Sequence, residues 1–159
     1  MSGDRIVATI SRLDRVPDST GPEGSPVQTS RVNSAAVHPP VGTYSHAVRV
    51  GTADGIWIYV SGQVALDAEG ALVGQGDMRA QTRQVFENLR AILATNHASF
   101  ADVVKIGTYL TTLDDLAGMR EVRSEYLTSE PPASTAVQVM ALVVPDALIE
   151  IDLVAVVPT

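Results

Sequence analysis

The sequence contains no cysteine, which excludes disulfides, thiolate metal ligands and a cysteine nucleophile and leaves the redox compartment open. Aromatic residues make up only 4% of the chain, so the interior must be built from Val, Ala, Leu and Ile. Small branched residues of this kind suit a sheet covered by helices better than a large helical bundle. Basic residues are also few. Eleven Lys and Arg face eighteen Asp and Glu, for a net charge of −7, and no basic run occurs. A surface that tracks phosphates needs clustered cations, so nucleic acid is not expected as a partner. No apolar run approaches the ~20 residues that cross a bilayer, and the first fifteen residues carry charges where a signal sequence needs an apolar stretch. A chain outside the membrane, in the cytoplasm, is the expectation.

The 159 residues suffice for one domain with a tail. Most of the Pro, Gly, Ser and Thr between residues 11 and 43 belongs to loops, so residues 1–28 read as an extension with one strand candidate at 4–10, and residues 29–159 as the domain. Strands are expected at 45–50, 56–61 and 64–66, with turns at Asp54-Gly55 and at 67–70. Asp77 is an N-cap before a stripe formed by Met78, Thr82, Val85, Phe86, Leu89, Ile92 and Leu93 at helical spacing. A strand at 102–111 follows. The string Thr112-Leu113-Asp114-Asp115 reads as a capping box before a second helix with Leu116, Met119, Val122, Tyr126 and Leu127 on one side. Pro131-Pro132 ends it. Strands at 135–144 and 148–157, joined by Pro145-Asp146-Ala147, are expected to pair antiparallel. The order is β-β-β-α-β-α-β-β, an α+β domain with two helices on one face of a mixed sheet. Its other face would leave Val, Ile and Leu in water at about 25 cal/mol per Å², so association with further copies is expected.

Five strings appear in sequence order: Val41-Gly42-Thr43-Tyr44-Ser45, Val60-Ser61-Gly62-Gln63, Asp102-Val103-Val104-Lys105, Pro132-Ala133-Ser134, and the run from Leu148 to Val156. On these strings the chain resembles the RidA/YjgF family over about residues 30–157. The resemblance implies a chorismate-mutase-like fold and a homotrimer with a central barrel and three clefts between subunits for small molecules. It also implies hydrolysis of imines or enamines derived from amino acids, without metal or organic cofactor. The three histidines, His38, His46 and His97, show no metal-ligand spacing.

The resemblance also names candidate residues. Tyr44 matches a tyrosine whose phenol orients substrate or relays a proton; the alternative is an interface tyrosine. Ser61 and Gly62 match the cleft-lining Ser-Gly-Gln motif, although Gly62 could simply allow a bend. Glu150 matches the glutamate set against the reacting centre. Among apolar neighbours its pKa would rise into a useful range and it could serve as general base toward water; alternatively it is a solvated strand-end carboxylate. Ser134 stands where the family's deaminases carry an arginine that grips the substrate carboxylate. A hydroxyl does not replace a guanidinium fork, and a lost charged hydrogen bond costs about 1.5–3 kcal/mol. Arg120, with Arg123 one turn on, could compensate or could belong to a solvated helix face. His46 is read as a hydrogen-bonding residue. The function expected is imine or enamine hydrolysis or proton transfer, with a tailoring step of a specialised biosynthetic pathway as an alternative. The rivals are a non-catalytic ligand-binding or regulatory trimer, and a ribonuclease.

Overall fold

Alternating β-branched residues and two apolar helical stripes assemble into a six-stranded sheet carrying two helices in the computed structural model, which describes residues 27–128 and 130–158. The strand candidate at 4–10 lies outside those residues. The strands are β1 (Gln28–Val32), β2 (Ala47–Thr52), β3 (Gly55–Gln63), β4 (Val103–Leu110), β5 (Ala133–Gln138) and β6 (Ile149–Val157). Their order across the sheet is β1-β2-β3-β6-β4-β5. Every neighbouring pair is antiparallel except β4 with β5.

Helix α1 (Met78–Thr95) begins where Asp77 accepts a hydrogen bond from the Ala80 amide at 3.0 Å. The seven stripe residues named from the sequence are all buried in it. Helix α2 (Leu116–Tyr126) turns Met119 and Val122 into the core. Phe86 and Tyr126 stack between the helices with ring centroids 4.8 Å apart. Arg79 bridges to Glu121 at 2.7 Å, and Arg83 pairs with Glu125. These ion pairs are half exposed, so they add little stability beside the buried apolar contact.

Beneath the helices lie Ile58, Val60, Ile106, Leu110, Ile149, Ile151 and Leu153, all buried. The opposite face carries Trp57, Tyr59 and Val137, each at least 40% exposed. Trp57 pairs in register with Val156, and Tyr59 with Val154. Among the described residues nothing covers this apolar row.

The element order agrees with expectation, but three details differ. The third strand expected before the first helix is not residues 64–66. A register shift between Val60 and Gln63 takes the chain out of the sheet, and Leu66 makes only a single bridge with Leu72 around the Asp67 turn. Gln28–Val32 supplies the missing strand. Residues 135–144 and 148–157 do not form an antiparallel pair. The strand stops at Gln138, and β5 lies parallel to β4 because α2 forms the crossover between them, the arrangement a βαβ unit requires. Residues 139–148 then carry the chain to β6 on the far side of β4. Finally, α2 is capped by Asp115, which accepts from the Gly118 amide at 2.9 Å. A Cβ at position 118 would overlap that carboxylate, so the glycine makes this cap possible. Thr112 instead accepts from the Asp114 amide in a local turn.

Candidate active site

The Ser61-Gly62-Gln63 string ends β3 at its irregularity, and each residue has a distinct task there. The Ser61 hydroxyl donates to the Ser45 carbonyl at 2.7 Å, and its amide donates to the His46 carbonyl at 3.0 Å. Together they fasten the Tyr44 loop to the sheet. The Gln63 amide folds back onto the carbonyls of Ser61 and Gly62 at 3.2 and 3.1 Å, satisfying acceptors that leave the ladder. Gly62 makes room for Glu150, since a methyl group here would overlap the glutamate carboxylate.

Glu150 points from β6 to the uncovered face, on the same side as Asp152. Burial, and then the negative charge of Asp152, push its pKa above the usual carboxylate value. Tyr44, Ser61, Gly62 and Glu150 line one cavity of about 250 Å³ together with Val41, Val64, Val143 and Val144. The Tyr44 hydroxyl accepts from the Val41 amide at 3.3 Å, and the ring remains 44% exposed, so it is a wall that a ligand can touch. Gly62 and Glu150 also border a second opening of about 270 Å³ shared with Tyr109, Asp152 and Leu142. A half-buried carboxylate between two openings, with apolar walls and a phenol nearby, can hold and polarise a water.

Tyr109 and Asp152 were not singled out from the sequence. The phenol donates to the Asp152 carboxylate at 2.8 Å, which with burial raises its own pKa. Glycine at 107 leaves room for that carboxylate, because a Cβ would sit 2.9 Å from both its oxygens. Strand alternation placed Asp152 beside Glu150. Only the register of β4 against β6, Tyr109 opposite Glu150 and Gly107 opposite Asp152, brings the tyrosine there.

The remaining two candidates stand apart. Ser134 lies on the exposed edge strand β5, opposite Ile106. Its hydroxyl accepts a hydrogen bond from Nη1 of Arg123 at 3.1 Å. Arg120 is exposed on α2, and Arg123 is the member of the pair that reaches Ser134.

His46 is a structural pin. The Ser34 amide donates to Nδ1 at 3.1 Å, and Nε2 donates to the His38 carbonyl at 2.9 Å. Burial depresses its pKa below the ordinary 6.5. Below pH 6.5 the unfolded chain therefore binds more protons than the folded one, and stability falls with pH until the depressed folded value is passed. In His46→Gln the loss of thermal midpoint between pH 7.5 and 5.5 is expected to be smaller than in the wild type. Equal losses in differential scanning fluorimetry would overturn this assignment.

Among the described residues no three His, Asp or Glu side chains come together at metal-binding geometry, and no helix is long and apolar enough to cross a membrane.

Residues 35–157 match the family model described as Endoribonuclease L-PSP. The chain belongs to this family, the RidA/YjgF family. A RutC family protein of Pyrococcus abyssi is 44% identical over 116 residues, covering 73% of this chain and 87% of that protein. The 3-aminoacrylate deaminase RutC of Acinetobacter baylyi is 40% identical over 134 residues, 84% of this chain and 93% of the enzyme. The crystal structure of RidA from the Antarctic bacterium Psychrobacter sp. PAMC 21119 superposes with a TM-score of 0.73 at 37% identity, covering 80% of this chain and 99% of that one. The RidA/YjgF fold is thus the one observed: two helices on one face of a mixed sheet.

Proposed function

We propose that this RidA-family chain hydrolyses a small imine or enamine, working as a homotrimer whose uncovered sheet faces close a central barrel. The carrying observation is the Glu150 carboxylate, half-buried against Gly62 in a valine-walled cavity with Tyr44. Glu150 takes a proton from a water as its oxygen bonds to the C=N carbon. The imine nitrogen is protonated through the Tyr44 phenol. The resulting carbinolamine then loses ammonia and leaves a carbonyl compound. Poor solvation suits the glutamate to this task, because a base with a pKa nearer neutrality combines ionisation with useful basicity. Ser61 and the Gly62 backbone line the cavity, and no step calls on a metal or organic cofactor. The name of the Acinetobacter relative, a 3-aminoacrylate deaminase, supports an enamine-type substrate. The word endoribonuclease in the family description has less support, since eleven scattered basic residues face eighteen acidic ones.

Ser134 favours a second reading, a non-catalytic ligand-binding trimer that keeps the cleft. The two are separated by ammonia release from imines generated in situ by an amino-acid oxidase, with wild type and Ser134→Arg compared over several side chains. The wild type is expected to accelerate release. Activity confined to Ser134→Arg would place the natural substrate outside amino-acid imines, and no activity in either protein would leave the binding reading standing.

A further inference from the structure

Arginines on the two helices mostly meet carboxylates: Arg79 meets Asp115 and Glu121, Arg83 meets Glu125, and Arg90 meets Glu87. Arg123 differs. Among the described residues its guanidinium has no carboxylate at ion-pair distance, and its one hydrogen-bond partner is the Ser134 hydroxyl at 3.1 Å. It is half-buried, and burial alone depresses its pKa. A cation partly stripped of water without a counter-ion is unfavourable, and four of the five N–H donors of its fork remain uncommitted. The neighbouring strand β5 is exposed along its whole length. The arrangement lacks an anion, and a planar fork beside a hydroxyl fits a carboxylate.

Arg123 does not serve the Glu150 cavity of its own chain. Ser134 pairs with Ile106 and shares the helix-covered side of the sheet, whereas Glu150 pairs with Tyr109 and faces the other side. Three residues along the strand and two strand spacings across separate them by about 14 Å, too far for one small imine.

We propose that Arg123, seated on Ser134, is the carboxylate-binding group of the cleft and is delivered by one copy of the chain to the Tyr44–Glu150 cavity of a neighbouring copy. This rests on the imine-hydrolase reading for its substrate class. It moves the cationic grip from strand β5 to helix α2, so that the serine serves as a seat for the arginine.

Calorimetric titration of the intact oligomer with 2-oxobutanoate, and with butanone as its uncharged counterpart, tests binding without requiring turnover. Arg123→Gln is expected to weaken 2-oxobutanoate by roughly tenfold or more and leave butanone unchanged, with Arg123→Lys intermediate. Retention of the wild-type oligomer mass and thermal midpoint by both variants completes the expected result. If Arg123 instead neutralises a carboxylate of the neighbouring chain, Arg123→Gln lowers the midpoint or the mass and leaves 2-oxobutanoate affinity intact, which overturns the proposal. So does a loss seen in Arg120→Gln and absent from Arg123→Gln, or a wild type that does not bind 2-oxobutanoate. Where the wild type releases ammonia, mixed oligomers of Arg123→Gln and Glu150→Gln chains regain part of the activity that each lacks alone. No regain would show that both residues must come from one chain and would sink the shared-site assignment. Failure of the hydrolase reading alone shows as normal 2-oxobutanoate binding, still dependent on Arg123, without ammonia release.

Discussion

Glu150→Gln is expected to slow imine hydrolysis by about a hundredfold or more, the low end of what a positioned general base contributes, while ligand affinity stays within a few-fold. Glutamine keeps the volume and one acceptor beside Gly62 but cannot take a proton from water, so the loss should fall on kcat. A comparable fall in KM-normalised binding alone would point to a positioning role. The pH profile carries a second signature. Burial and Asp152 raise the pKa of Glu150, so the ionised base is lost on acidification at a pH above the ordinary 4.5 of a glutamate. Asp152→Asn removes the neighbouring negative charge and should move the acid limb of the rate profile to lower pH. An unmoved limb would assign that limb to another group. Stability runs the other way. Because the folded pKa is raised, the folded state binds the proton more tightly, and its advantage is present at low pH and lost as pH rises through the folded value. Glu150→Gln should therefore raise the thermal midpoint at pH 7 relative to wild type, and raise it less at pH 4. Such a gain marks a site whose chemistry is held at the expense of stability.

Val154→Asp should reduce the molecular mass in solution from the proposed three chains to one chain of 16.8 kDa, with helix and sheet content unchanged by circular dichroism. Val154 lies on the uncovered face in register with Tyr59, and Trp57 pairs with Val156 beside it. In the single chain Val154 is only half-buried, so a carboxylate there can reach water and the fold survives. In a closed barrel the same carboxylate would be buried without a partner three times over, at a cost of several kcal/mol for each ion. Light scattering across a dilution series gives the mass. A variant that keeps the wild-type mass would remove this face from the assembly. Ammonia release should fall with the mass, since the proposed cleft, with Arg123 from one copy and Glu150 from another, requires the oligomer.

Both helices and the cap of α1 were legible in the sequence because a 3.6-residue stripe is local, whereas the cap of α2 fell at Asp115 and not at the expected Thr112 box. Asp77, the seven core residues of α1 and the Met119–Val122 side of α2 follow from spacing alone. The family strings likewise carried Tyr44, Ser61, Gly62 and Glu150, and the folded chain brings those four to one cavity. Strand pairing was less legible. The link at Pro145-Asp146-Ala147 suggested a hairpin, yet the parallel partner of β5 is chosen by the helix that precedes it and by where β6 finds room. Pairing is a non-local contact that no window of sequence contains. The same reason hid Tyr109, which joins Asp152 only through the register of β4 against β6, and hid the contact of Arg123 with Ser134. The sequence by itself determined the two helices, most of the strands and the family, and it named Glu150 as the candidate carboxylate. The tertiary structure decided which side chains share a face, and so which arginine sits on Ser134, because register and helix rotation set those contacts across tens of residues of chain.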